Sequence, residues 1–158
     1  TSLNDQYWDE LIQHSVAFKA RITTEDPKEK GIRKILNAGH TIGHAVESYL
    51  LGAGRRILHG EAIAIGLIAE AWIARQRKLI LEDELDEIVS AIRKFYVPVT
   101  LSEADIAAAA RLTIKDKKNK GQKILCVLPN GIGKALWDIE ISFGDVQGAL
   151  NFYNEVHI

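Results

Sequence analysis

The 158 residues can form one domain with a substantial core, and 47% hydrophobic with 26% charged residues is ordinary for a globular protein. A formal net charge of −1 leaves no bulk field to recruit nucleic acid or an anionic membrane surface, and the longest apolar run, Ala62 to Ala74, is broken by Glu70 and too short to span a bilayer. A lone cysteine, Cys126, excludes an internal disulfide and, with no secretory segment, predicts a cytoplasmic protein.

In chain order, helical spacing predicts a first helix over Asn4 to Lys19. Asp26, Pro27 and Glu29 read as the start of a second helix, with Pro27 in its first turn, running from about Lys28 to Leu51. Gly52 to Arg56 is a loop, and Leu58 to Lys78, apolar on almost every side, is a buried helix. Glu82 to Phe95 is an amphipathic helix that stops before Pro98. Ser102 and Asp105 cap an alanine-rich helix to about Lys115. Lys118 to Gln122 is a polar turn, Lys123 to Leu128 and Gly133 to Ile141 are two short strands, and a final helix occupies about Gly144 to His157. The predicted class is mainly α with at most one small β-hairpin, in a single helical domain over residues 1–158. With Thr1 first and no methionine anywhere, the chain reads as a piece of a longer or processed protein.

One stretch departs from this ordinary pattern. In "LNAGHTIGHAVES" a continuous helix would gather Arg33, Asn37, His40, His44 and Glu47 within an arc of roughly 80°. Solvated helical faces favour lysine, glutamate and glutamine, whereas asparagine and histidine are poorer helix formers. Two imidazoles one turn apart can share a metal, or one can bind metal while the other relays protons. Gly39 and Gly43 each cost a helix about 1 kcal/mol relative to alanine, which points to another backbone or a ligand in close approach. His59, in "LHGEAIAIG", opens the buried helix; alone it reads as a structural or capping residue, but one short loop separates it from the pair. Three clustered histidines suit zinc, and spacing alone leaves Glu47 and Glu61 open as a further ligand.

"GIRKILNAGHTIGHAVES" followed by "LHGEAIAIGLIAEA" resembles the signature of the 3-dehydroquinate synthases. "SVAFKARITTEDPKEKGIR" upstream and "DKKNKGQKILCVLPNGIGKA" downstream resemble that family's flanking segments, so the likeness runs from about Ser15 to Lys134. It implies the helical C-terminal domain of a two-domain enzyme whose NAD-binding N-terminal domain is not in this chain, where no Gly-rich dinucleotide fingerprint occurs. It implies that His40 and His59 are metal ligands for Zn2+ or Co2+, with a glutamate from a segment before Thr1 as the third ligand in place of Glu47 or Glu61. It further implies that His44 belongs to the substrate pocket near the phosphate, and that Lys19, Arg33, Asn37 and one of Lys117 and Lys118 contact the anionic and hydroxyl groups of the substrate. Read without the resemblance, "KDKKNKG" is an ordinary solvated turn.

The implied reaction converts 3-deoxy-D-arabino-heptulosonate 7-phosphate to 3-dehydroquinate and phosphate in the shikimate pathway to aromatic amino acids. The implied partners are this sugar phosphate, NAD, the chain's own N-terminal domain and a second copy in a homodimer. Other sugar-phosphate cyclases, polyol dehydrogenases and a non-catalytic helical binding domain are the competing readings. The chain alone is expected to turn over negligibly.

Overall fold

A computed structural model describes the backbone of residues 5–118 and 123–156 and the side chains of residues 7–113 and 123–156. It divides into two compact units, one ending at Leu36 and one beginning at Asn37. The first holds α1 (Asp5–Glu25) and most of a short 3-10 helix (Ile32–Asn37). The second holds α2 (His40–Gly52), α3 (His59–Gln76), α4 (Glu82–Arg93), α5 (Glu103–Lys118), a two-stranded antiparallel hairpin of β1 (Leu125–Pro129) and β2 (Ala135–Glu140), and α6 (Phe143–Glu155). The mainly α class with one small hairpin is therefore observed. No helix among the described residues is long and apolar enough to cross a membrane.

The continuous helix expected from Lys28 to Leu51 does not form. The Asp26 carboxylate accepts the backbone N–H groups of Gly31 at 2.7 Å, Lys30 at 3.1 Å and Arg33 at 3.2 Å, folding the chain into a turn. These amides, Gly31 first, hold the half-buried Asp26 below the ordinary carboxylate range. Glu29 takes a φ of 52°, which an α-helix cannot contain. A 3-10 segment follows, and Gly39 ends it in the left-handed region at φ 76° before α2 begins at His40. The face proposed for Arg33 and Asn37 together with the histidines therefore has no continuous helix to carry it.

α3 is the centre of the second unit. Ile65, Ile68 and Ile73 are almost wholly buried, and α2, α4, α6 and β1 pack around the helix. Ile42, Val46 and Leu50 from α2, Leu85 from α4, Leu128 from β1 and Val146 and Leu150 from α6 complete the core. Burying each such side chain contributes roughly 1.5–3 kcal/mol.

The expected caps are present. Ser102 and Asp105 exchange hydrogen bonds of 2.8 and 3.2 Å at the start of α5, and Ser142 and Asp145 repeat the arrangement on α6. Glu84 ties elements together: one oxygen accepts Leu81 N–H at 2.7 Å before α4, the other Ile132 N–H at 3.0 Å in the hairpin turn. On β2 an extra residue opposes β1 between Cys126 and Leu128, and Asp138 there takes a φ of 58°.

The contact of α2 with α3 is made by backbone. A Cβ on Gly39 would lie 2.8 Å from the Ile63 carbonyl oxygen, and one on Gly43 would lie 2.7 Å from that of Ala62. A Cβ on Gly66 would run into the Gly39 carbonyl oxygen. The close approach expected of Gly39 and Gly43 is thus that of another backbone, and Gly66 is its counterpart on α3.

Glu70, also on α3, is 1% exposed. Burial pushes its carboxyl up to about 8 from 4.5, although the Gly39 N–H pulls the other way. The protonated form therefore prevails in the fold at neutral pH.

Two outcomes follow from this packing. Gly66→Ala destabilises by more than about 2 kcal/mol in urea unfolding, because the new methyl meets backbone, while Gly52→Ala, with nothing within 4 Å, stabilises by up to about 1 kcal/mol. Because the folded pKa of Glu70 lies above its unfolded value, its stabilising share is complete below 4.5 and is lost as pH rises towards about 8. The stability of Glu70→Gln relative to the starting protein should therefore increase from pH 5 to pH 8; a constant difference would exclude a buried acid titrating in that window.

Candidate metal centre

His40 and His44 lie one turn apart on α2, and His59 is the first residue of α3. The α2–α3 contact brings the three rings together. Their centroids are 5.2 Å apart for His40 and His44, 5.7 Å for His40 and His59, and 5.5 Å for His44 and His59. One ligand atom from each lies within 4.8 Å of the others, forming the candidate metal group among the described residues. Nitrogens sharing one zinc at ~2.1 Å stand about 3.4 Å apart in a tetrahedron.

The outer nitrogens are already engaged. His40 Nδ1 stands 2.9 Å from the Ala38 carbonyl oxygen, which can only accept, so this nitrogen carries the proton. His59 Nδ1 stands 3.2 Å from Glu47 Oε2 and donates to that carboxylate. Both rings are thereby held in the tautomer that leaves Nε2 its lone pair, the arrangement found where histidines bind metal. His44 is exposed at the surface of α2 but sits below the ordinary histidine range. Partial burial is the larger cause, the charges of His40 and His59 add to it, and Glu47 opposes it.

Spacing left two carboxylates open as ligands, and the structure occupies both elsewhere. Glu47 braces His59, and Glu61 Oε2 accepts the Leu58 N–H at 2.7 Å as the cap of α3. A carboxylate one turn from a histidine on the same helix can as easily support a neighbouring ring as bind metal, a distinction sequence spacing does not contain.

The remaining predicted residues are distributed along the chain. Asn37 is exposed, two residues before the Gly39 turn in the second unit. Lys19 is exposed on α1 in the first unit. Arg33, half-buried in the same unit, donates from its guanidinium to the Pro27 carbonyl at 3.0 Å and stands 3.7 Å from Glu29 Oε2. Lys117 and Lys118 close α5, and their side chains lie outside the described residues. Sequence reasoning missed Glu70, whose Oε2 accepts the Gly39 N–H at 2.6 Å; its only signal was an acid interrupting the longest apolar run.

Comparison with known proteins agrees with the fold and the motif order. Residues 1–119 match the family model described as 3-dehydroquinate synthase C-terminal. A 3-dehydroquinate synthase of Parabacteroides distasonis is 36% identical over 98% of this chain and 44% of its own length. One from Thermodesulfovibrio yellowstonii is 37% identical over 89% of this chain and 39% of its own. The chain thus spans less than half the length of these relatives. Among solved structures, 2-epi-5-epi-valiolone synthase from Streptomyces hygroscopicus, with NAD+ and Zn2+ bound, superposes with a TM-score of 0.74 at 22% identity, over 93% of this chain and 40% of that one. A 2-deoxy-scyllo-inosose synthase complexed with carbaglucose-6-phosphate, NAD+ and Co2+ gives 0.76 at 24% identity, over 95% and 42%. At these identities the likeness is one of fold. Helices, hairpin and histidine motifs together with the family match lead to one conclusion: the chain belongs to the 3-dehydroquinate synthase C-terminal family.

Proposed function

We propose that the chain is the metal- and substrate-binding C-terminal domain of a 3-dehydroquinate synthase. The whole protein would convert 3-deoxy-D-arabino-heptulosonate 7-phosphate to 3-dehydroquinate and phosphate, a phosphate-eliminating cyclisation with NAD. The observation that carries this reading is the convergence of His40, His44 and His59 from α2 and α3, within a chain related along almost its whole length to proteins of that name.

In this reading residues 1–158 act as one domain, and His40 and His59 hold Zn2+ or Co2+, their Nδ1 atoms anchored to Ala38 and Glu47. The bound ion supplies Lewis-acid polarisation of a substrate oxygen. His44 faces the phosphate end of the substrate and takes part in moving its protons. Lys19, Arg33, Asn37 and one of Lys117 and Lys118 hold the phosphate, the carboxylate and the hydroxyl groups. Arginine offers a planar fork to such anions and lysine a mobile point charge. No residue of this chain is assigned to NAD, which belongs to the rest of a longer protein. That protein is a homodimer in the cytoplasm, and neither nucleic acid nor membrane is a partner; the near-neutral charge and the single cysteine support the last two statements.

The fold likeness to cyclases with other products makes them the second reading, and substrate chemistry separates the two. A binding site built around arginine and lysine for a carboxylate discriminates strongly against sugar phosphates without one.

Zinc uptake by the chain tests the centre. One zinc per chain is expected, with His40→Ala and His59→Ala each weakening it by about a hundredfold or more, since even supporting residues are worth ten- to a hundredfold. In the longer protein the same substitutions should abolish phosphate release from 3-deoxy-D-arabino-heptulosonate 7-phosphate. Zinc content unchanged after dialysis in His40→Ala would defeat the ligand assignment. Equal turnover of a seven-carbon sugar phosphate without a carboxylate would move the reading to another cyclase.

A further inference from the structure

α3 contributes to the histidine cluster twice. Its first residue is His59, and eleven positions later it carries Glu70, buried among apolar side chains. Burying a carboxyl group without full hydrogen bonding is costly, and Glu70 Oε1 has no partner among the described residues. An alanine, valine or leucine there would complete the core more cheaply. A buried acid retained under such a cost calls for an account of what its other oxygen does.

Glu70 Oε2 accepts the N–H of Gly39 at 2.6 Å. That N–H belongs to the peptide group joining Ala38 to Gly39, and the carbonyl of the same peptide group is Ala38 C=O. This carbonyl accepts the Nδ1–H of His40 at 2.9 Å. A single planar peptide therefore links the Glu70 carboxyl on one side to the His40 imidazole on the other. Hydrogen bonds in series polarise one another, so an acceptor on the N–H strengthens the carbonyl as an acceptor for the ring.

The backbone around this peptide has little freedom. Gly39 lies against one face of α3, formed by positions 63, 66, 67 and 70 at helical spacing. A Cβ on Gly39 would meet the Ile63 carbonyl oxygen and Leu67 Cγ, each at 2.8 Å, and Gly66 leaves room for the Gly39 carbonyl. Shape alone fits Gly39 into this groove. The hydrogen bond that the Gly39 N–H donates to Glu70 fixes the rotation of the Ala38–Gly39 peptide plane within it, and so the direction in which the Ala38 carbonyl meets the ring.

We propose that Glu70 is a positioning residue for the metal centre, holding His40 in its ligand orientation through the Ala38–Gly39 peptide group. Glu70 touches neither metal nor substrate. It acts with His59 to make α3 the common reference for two rings that lie on different helices. The inference rests on the metal reading above and concerns a residue outside the histidine motifs.

The test compares Glu70→Gln, which keeps an acceptor oxygen for the Gly39 N–H, with Glu70→Leu, which fills the space without one. Glu70→Ala, which removes the acceptor without filling the space, is measured in parallel and carries the same expectation as Glu70→Leu. In metal-free protein, amide exchange at Gly39 should accelerate at least tenfold in Glu70→Leu, and the His40 ring nitrogen resonances should shift, with both restored in Glu70→Gln. Zinc affinity should fall about ten- to a hundredfold in Glu70→Leu and stay within about twofold in Glu70→Gln. The ligand-field absorption of the cobalt-loaded protein should change in Glu70→Leu and Glu70→Ala and stay unchanged in Glu70→Gln. A purely structural role would instead make metal affinity follow unfolding stability across the variants. Glu70→Leu with the zinc affinity and cobalt spectrum of the starting protein overturns the positioning role and leaves the metal reading intact. A starting protein that takes up no zinc overturns both.

Discussion

The second unit depends on the contact of α2 with α3 at backbone distance. Gly39, Gly43 and Gly66 remove side chains where the two helices meet, and peptide groups fill that space. Each glycine inside a helix costs about 1 kcal/mol relative to alanine. What the cost secures is proximity: helices separated by larger side chains pack some 8–10 Å apart. On that contact the His40 and His59 ring centroids, from different helices, stand 5.7 Å apart. Gly43 and Gly66 weaken their helices locally, and together with Gly39 in the left-handed turn before α2 they let α2 and α3 approach on the side that carries the imidazoles.

Much of this was legible in the sequence, and the parts that were not share a cause. α3 to α6 and the hairpin followed from apolar periodicity and from the Ser102–Asp105 cap, which are local signals. The histidine cluster followed from two motifs separated by one loop. The path from Asp26 to Gly39 was misread because its determinants are not local periodicity. A carboxylate at Asp26 gathers three amides, and Gly39 turns left-handed where α3 receives it. Gly39 reads as a weak helix residue until Gly66, 27 positions on, supplies the surface that its carbonyl fills. The roles of Glu47 and Glu61 were also beyond spacing. Glu47 stands one turn from His44 and Glu61 two residues from His59, and only coordinates show one carboxylate on a ring and the other on the Leu58 amide.

The electrostatics of the cluster favour a ligand set over a set of charged side chains. Partial burial disfavours the protonated form of His44, and the neighbouring charges of His40 and His59 add to this. Neutral imidazoles are the form that binds metal. Glu47 works against this at His44, whereas on His59 it accepts the Nδ1–H and orients the ring. One carboxylate therefore acts on two neighbours in different ways. Geometry decides which matters: a hydrogen bond at 3.2 Å fixes the His59 ring, while on His44 the action is through space.

Stability and site construction pull in different directions along α3. Its apolar faces hold the core of the second unit, and the cheapest helix for that purpose would be apolar throughout. Two positions depart from the pattern. His59 is exposed at the N-terminus, where its ring meets those of His40 and His44 on α2. Glu70 is buried near the middle, where its proton is retained up to about pH 8. Each departure lies where α3 meets a ring of the cluster, His59 directly and His40 through one peptide group. A helix selected for packing alone has no reason to carry either. Their joint presence on α3 ties the histidine cluster to the buried helix of the second unit, with α2 brought to it by glycines. A centre supported in this way draws its precision from the core, so substitutions deep in the core at Ile65 or Ile68 bear on ligand geometry as well as on folding.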